Sequence, residues 1–427
     1  MNIEKSKIFF ERAKTLIPGQ SQTFSKGPTQ FVQGVSPIYC EKGKGAKIWD
    51  VDGNEFTDYI MALGPIVLGY CFEEVDQAVI QQLKKGSIFS LPHHLEVEVA
   101  EKLANIIPSA EMVRFGKNGS DVTAAAIRIS RAYTGRDKIA ICGYHGWQDW
   151  YIGTTSRDLG VPDGTKSLSL TFKYNDISSL EKLFNDNFSQ IACVIIEPVG
   201  IEKPDRLFLE KVKELANKNN AVLIFDELKS GFRFALGGIQ GSLDIVPDIS
   251  TFGKAIANGY PLSAIVGRRD IMEYVDKTFF SFTFGGEALS LAACLKTIEI
   301  IQRQEVIKHN WEIGAYFKEQ YNRLIMKYDL GNYIWNKGND IHFITEFKSG
   351  NNFSDLELKS LLHQEMIKKG NLTIGSYDFC YSHTENMIDK TISDLEDILP
   401  SIKNIIETDS ITDHIEGNIV QPIFRKH

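Results

Sequence analysis

The chain has 427 residues, 43% of them hydrophobic and 24% charged, with a formal net charge of -8. Those proportions describe an ordinary soluble globular protein, large enough for two domains or one large domain with an appendage. The acidic balance and the lack of a basic tract argue against a nucleic-acid or anionic-membrane surface, because both need clustered Lys and Arg to neutralise phosphates.

In chain order, the opening MNIEKSKIFFERAK has no apolar signal core, and no later apolar run approaches the ~18 residues of a membrane span, so the expected location is the cytoplasm. Phe9, Phe10, Ala13, Leu16 and Ile17 recur at helical spacing and stop at Pro18-Gly19, which predicts an amphipathic helix. An irregular polar segment, SQTFSKGPTQ, follows. In AKIWDVDGNEFTDY, Asp52-Gly53 lies between two strand-like runs, a hairpin signal. Leu95, Val99, Leu103 and Ile106 mark one helical face; Val122, Ala125, Ala126 and Ile129 mark a second, closed near Gly135. Short apolar runs at 112–115, 139–142, 191–196, 221–225 and 263–267 alternate with helical patterns such as FLEKVKELANK. This alternation predicts an α/β fold whose mostly parallel sheet is covered on both faces. A helical pattern from about Glu287 past Ile301 leads into a smaller α+β unit. Six cysteines, Cys40, Cys71, Cys142, Cys193, Cys294 and Cys380, are scattered without CxxC pairs, which predicts reduced thiols and no metal site.

Ligands of open α/β sheets bind beyond the carboxyl ends of the strands, so the loops after each apolar run carry the information. Asn118-Gly119-Ser120-Asp121 opens an Ala-rich helix, where small residues and the helix N-terminus suit a phosphate; the plain alternative makes Ser120 or Asp121 an N-cap. The loop is neither a P-loop nor GxGxxG. Tyr144 and His145, between Gly143 and Gly146, offer an aromatic face to a planar ligand or simply fill the core. Asp226 ends a fully apolar strand, where a carboxylate needs a partner: a protonated ring nitrogen, or a structural ion pair. His93 and His94 show no ligand spacing and read as structural. Lys254 lies between Gly253 and the Gly259-Tyr260-Pro261 turn, a frame that a solvated lysine does not need. A partly desolvated amine condenses with an aldehyde. Phosphate cradle, aromatic face, ring-nitrogen carboxylate and Schiff-base lysine are together what pyridoxal 5'-phosphate (PLP) requires.

These residues sit within longer runs, WDVDGNEFTDY, GPIVLGY, AAAIRISRAYTGRDKI, YHGW, IIEPVG, FDELKSGFR, FGKAIANGYP, TFGGEALSLAAC and SHTE. Through nearly its whole length the chain resembles the class III PLP-dependent aminotransferases, and within them the glutamate-1-semialdehyde aminomutase branch. The resemblance implies fold type I, with residues 61–304 as a large PLP-binding domain and residues 1–60 and 305–427 as a small domain. It also implies a homodimer with interface active sites and small-molecule amine and carbonyl substrates. By resemblance Lys254 is the Schiff-base lysine, Asp226 meets the ring nitrogen, Tyr144 covers one ring face beside His145, and Leu228 covers the other. Asn118, Gly119 and Ser120 match the phosphate loop, Glu197 the Glu-Pro near the ring hydroxyl, and Thr283 the threonine that reaches the partner subunit's phosphate.

The departures concern substrate. Where the aminomutase pattern carries an arginine for the substrate carboxylate, in a PGGVNSPVRAF-like run, this chain reads PGQSQTFSKG and places Lys26. Lysine lacks the planar two-pronged fit of arginine. Trp147, Trp150 and Tyr151, and Tyr377-Asp378-Phe379, either shape a pocket or simply pack; Lys26 and Trp147 are the substrate candidates. The expected reaction is transfer of an amino group between an amine or amino acid and a carbonyl substrate. The alternatives are the aminomutase reaction proper, a decarboxylase or racemase outcome, and a non-catalytic PLP-fold binding subunit, against which Lys254 and Asp226 together argue.

Overall fold

The apolar runs of the central region form one seven-stranded sheet in a computed structural model that describes residues 1–203, 205–408 and 410–423. The strands are β1 (Met112–Gly116), β2 (Lys138–Cys142), β3 (Ser169–Thr171), β4 (Ile191–Ile196), β5 (Val222–Asp226), β6 (Ile249–Phe252) and β7 (Ser263–Gly267). Their spatial order is β1-β7-β6-β5-β4-β2-β3. From β6 to β3 every pair is parallel, whereas β7 runs antiparallel to both its neighbours. The sheet belongs to a unit spanning Glu73–Ile307; a second unit combines Met1–Phe72 with Lys308–Ile423.

Every residue of β4 and β5 is buried, the mark of strands covered on both faces. Side chains alternate: Cys193, Ile195, Val222 and Ile224 pack with the helix Gly119–Thr134, while Val194, Ile196, Leu223 and Phe225 pack with the helix Arg206–Lys218. Register then places the polar residues. Cys142 pairs with Ile196, Ile196 with Phe225, and Asp226 with Thr251, so the loops after β2, β4, β5 and β6 leave one edge of the sheet side by side.

The second unit is held by two small sheets. The hairpin of Lys47–Asp50 and Glu55–Asp58 turns where the Asp50 carboxylate accepts the N–H groups of Asp52 (3.0 Å) and Asn54 (2.8 Å) and Gly53 takes φ 89°. Asn371–Leu372 pairs in parallel with Glu55–Asp58, which joins the two chain ends into one sheet. The other sheet is Ile334–Asn339, His342–Phe347 and Ser376–Asp378. Its core is aromatic: the rings of Phe343 and Tyr377 stack at 4.8 Å, and Tyr59 lies 5.2 Å from Phe317. Tyr377 and Phe379 are buried in that core, so packing accounts for them and no pocket wall is needed. The N-terminal helix forms at Glu4–Leu16, but its apolar side is only partly covered: Ala13 is buried and Phe10 half-buried, whereas Phe9 is 43% and Leu16 73% exposed. No helix among the described residues is long and apolar enough to cross a membrane.

Candidate active site

Around the sheet edge of the Glu73–Ile307 unit lies a pocket of about 200 Å³, lined by Lys117, Gly119, Ser120, Tyr144, His145, Gly146, Glu197, Asp226, Leu228, Lys254 and Leu262. The helix Gly119–Thr134 opens on it. Asn118 is the N-cap and is exposed, its N–H bonded to Asp121 Oδ2 at 2.7 Å. The cap therefore lies before both positions the sequence suggested, Ser120 and Asp121, and Asn118 is not among the lining residues.

Asp226 is buried and fully engaged. Its Oδ1 accepts the Leu228 N–H and the Thr251 hydroxyl, each at 3.1 Å, and its Oδ2 lies 2.7 Å from His145 Nδ1. The other ring nitrogen of His145 lies 3.0 Å from the Cys142 carbonyl, which only accepts. With Nε2 carrying its own proton, the contact between Nδ1 and Asp226 shares one more. His145 is thus wedged behind Asp226, stacked on Trp150 at 6.0 Å. Its edge serves Asp226, where the sequence suggested an aromatic face for a ligand. Thr251 escaped the sequence reading, although a hydroxyl inside the apolar ISTF strand was the signal for it.

The neighbouring acid, Glu227, points elsewhere. It is buried and accepts the N–H groups of Ile239 (2.9 Å) and Gln240 (3.1 Å) and the Ser230 hydroxyl, so it braces a loop. Glu197, after β4, accepts the Tyr144 N–H at 2.8 Å. Burial pushes the Glu197 carboxyl up and Asp226 adds to this, against the pull of His145, that N–H and Lys254. Tyr144 meets Tyr151 edge to face at 5.4 Å, and burial with the nearby Glu197 and Asp226 raises its hydroxyl, which stays a phenol.

Glycines set the width of the pocket. A Cβ on Gly119 would lie 2.7 Å from Leu228 Cδ1, and one on Gly253 would lie 2.6 Å from Leu228 Cδ2. The two methyl groups of Leu228 therefore fill the space both glycines leave. Lys254 adopts φ 45°, a left-handed conformation that costs a side-chain-bearing residue about 1 kcal/mol or more and is held by its surroundings. Ala255, Ile256 and Ala257 are buried behind it.

The remaining candidates lie apart from this lining. Thr283 and Trp147 are exposed, while Trp150 and Tyr151 pack in the core beside the helix Gly119–Thr134. Lys26 belongs to the other unit, where it lines a largely apolar pocket with Phe31, Tyr39, Ile60, Asp58 and Tyr70. Burial lowers the Lys26 amine there, partly offset by Asp58.

The pocket has the donor set for PLP: an amine, a carboxylate at a strand end, an aromatic beside it, and a small-residue helix start whose close approach the Leu228 packing enforces. Comparison with known proteins agrees. Residues 31–373 match the model of the aminotransferase class-III family. The chain is 36% identical to the 3-aminobutyryl-CoA aminotransferase of Cloacimonas acidaminovorans (strain Evry) over 421 residues, 95% of this chain and 99% of that one. It is 32% identical to the glutamate-1-semialdehyde 2,1-aminomutase of Persephonella marina, covering 93% of this chain and 99% of that one. Among solved structures, the PLP-carrying FumI protein of Sphingopyxis sp. MTA144 superposes with a TM-score of 0.88 at 24% identity, over 96% of this chain and 99% of that one. An omega-transaminase from Sphaerobacter thermophilus does so with 0.83 at 24% identity, over 93% and 98%. These likenesses fix the large sheet as that of fold type I, and the family supports transamination over decarboxylation or a non-catalytic role. The chain belongs to the class III aminotransferases, enzymes that work with pyridoxal 5'-phosphate.

Proposed function

We propose that this aminotransferase acts between separate donor and acceptor molecules, and that its amino-bearing substrate is a β-amino compound whose acid group is masked, as in an acyl thioester. The observation that carries this is Lys26, a lysine among apolar side chains and facing Asp58, near the position where the aminomutase pattern has an arginine. A point charge already opposed by an acid is a poor receptor for a free carboxylate. The full-length relative named for 3-aminobutyryl-CoA supports the same substrate class.

When bound, PLP supplies an aldehyde carbon that takes up the amino group and a protonated ring that draws electron density from the substrate carbon. Lys254 holds the cofactor covalently, and its amine, when released, moves the proton at the substrate carbon bearing nitrogen. Asp226 keeps a proton on the ring nitrogen, and His145, Thr251 and the Leu228 N–H keep Asp226 aimed. Tyr144 and the Leu228 methyls would cover the two ring faces, Glu197 would stand beside the ring hydroxyl, and Asn118, Gly119 and Ser120 would receive the phosphate. Trp147, exposed and shortly after Tyr144 in the chain, contacts the substrate.

Two copies form the active dimer, with Thr283 of each reaching the phosphate held by the other. The support is its setting: Thr283 is flanked by exposed Phe282 and Phe284, and Phe279, nearby, is 83% exposed, an apolar surface suited to a second copy. Six free thiols accord with a reducing cytoplasm.

The test is a substrate panel. The wild type is expected to convert bound PLP to the pyridoxamine form with 3-aminobutyryl-CoA and to yield little 5-aminolevulinate from glutamate-1-semialdehyde. Robust 5-aminolevulinate formation would overturn the substrate reading. Lys254→Ala is expected to lose both turnover and the visible band of bound cofactor, and full activity in a sedimenting monomer would contradict the dimer.

A further inference from the structure

One charged residue of the lining has no part in the chemistry above. Lys117 immediately precedes the N-cap of the helix Gly119–Thr134 and faces the pocket beside Gly119 and Ser120. Its Nζ lies 3.0 Å from Glu287 Oε2, and the two side chains are only 15% and 16% exposed. Glu287 is itself anchored: it caps the helix Ala288–Arg303, accepting the N–H groups of Leu289 (2.8 Å) and Ser290 (3.1 Å) and the Ser290 hydroxyl (2.7 Å). Burial alone would raise its carboxyl, but the Ser290 and Lys117 bonds outweigh this and hold it below its ordinary value, ionised. A flexible amine is thereby fixed in one place, which removes much of the entropy an ordering ligand would otherwise face.

The charges in the pocket show what that amine is for. The lining carries two carboxyl groups, Glu197 and Asp226, and two amines, Lys117 and Lys254. In the proposed chemistry Lys254 bonds the cofactor and Asp226 is matched to the ring nitrogen. A phosphate monoester carries about -1.5 to -2 at neutral pH, while a helix N-terminus offers roughly half a positive charge. The phosphate end is left short of charged donors; the Lys117–Glu287 pair is neutral as a whole, but its ammonium is a charged donor held beside that end. An ammonium has three donors and Glu287 engages one, so the pair does not exhaust it.

We infer that Lys117 is a cofactor-binding residue that donates a charged hydrogen bond to the phosphate group of PLP, with Glu287 as the positioning residue that aims its amine. The inference rests on the family's cofactor, not on the proposed substrate.

Apo-enzyme titrated with PLP and, separately, with pyridoxal, which lacks the phosphate, tests it. Lys117→Met is expected to weaken PLP about tenfold to a hundredfold, the usual worth of a hydrogen bond to a charged group, and to leave pyridoxal unchanged. Lys117→Arg should restore most of the loss. Phosphorus NMR of the bound cofactor should show the phosphate holding its second proton to higher pH in Lys117→Met than in wild type. Equal weakening of PLP and pyridoxal would reduce Lys117 to a brace for the helix Ala288–Arg303, and no change in either would remove it from the site; each overturns the inference. Should Lys117→Met fail to fold, Glu287→Gln keeps the amine but loosens it, and a few-fold loss confined to PLP is expected; a loss shared by pyridoxal again overturns the role. Wild-type apo-enzyme that binds neither compound would overturn the cofactor assignment as well.

Discussion

Asp226 in the Glu73–Ile307 unit and His363 in the other unit are buried on opposite terms. In the Glu73–Ile307 unit the buried carboxylates are saturated with donors: Asp226 has His145, Thr251 and the Leu228 N–H, and Glu227 has Ser230 and two backbone N–H groups. In the other unit His363 is fully buried, and neither ring nitrogen has a hydrogen-bond partner among the described residues. The comparison separates aim from bulk. A saturated buried charge has one orientation and can direct chemistry, whereas an unsatisfied ring only fills volume and leaves the unit exposed to pH.

Breaking the aimed group should have the largest effect. Asp226→Asn is expected to lower turnover by about 10³- to 10⁴-fold with the circular dichroism of the chain unchanged; retention of a tenth of wild-type activity would show that the saturated acid does not direct the reaction. Emptying the aromatic core comes next. Phe343→Ala should cost about 3 to 5 kcal/mol of the smaller unit's stability in urea titration, and a loss below ~1 kcal/mol would mean that the stacked rings do not carry that core.

His363 gives a smaller effect with a definite sign. Burial, and then the Lys359 charge, hold it well below its ordinary value of 6.5, so the folded chain keeps it neutral. The unfolded chain takes up the proton first as pH falls. The stability tied to this residue is therefore intact above about 6.5 and drains away below it, at up to ~1.4 kcal/mol per pH unit. His363→Leu should flatten the fall in unfolding midpoint between pH 7.5 and 5.5; an unaltered slope would assign it to another group. The smallest effect is at Lys26, where arginine should raise the preference for free-carboxylate over thioester substrates by no more than about tenfold.

The same contrast governs how much was legible in the sequence. The large sheet announced itself because β4 and β5 are unbroken apolar runs and a strand buried on both faces has no polar side to blur it. The direction of β7 was not legible, since alternation along a strand is the same in either direction, and β3, two half-buried residues and an exposed one at the sheet edge, had no apolar run at all. Asp226 stood out because it ends such a run, and Lys254 because Gly253 and the Gly259-Tyr260-Pro261 turn frame it. Thr251 was hidden inside one, and Lys117 finds Glu287 across 170 residues, a pairing no local pattern encodes. In the smaller unit the helical spacing of Phe9 and Leu16 predicted a helix correctly but not its burial.

The packing of Leu228 between Gly119 and Gly253 has a consequence for anyone altering this enzyme. Three positions far apart in sequence share one small volume, so a methyl group added at either glycine must be matched by atoms removed from the leucine. Single changes at 119 or 253 should look forbidden, yet each should become tolerable in a Leu228→Ala background, a non-additivity that marks the three sites as one heritable block.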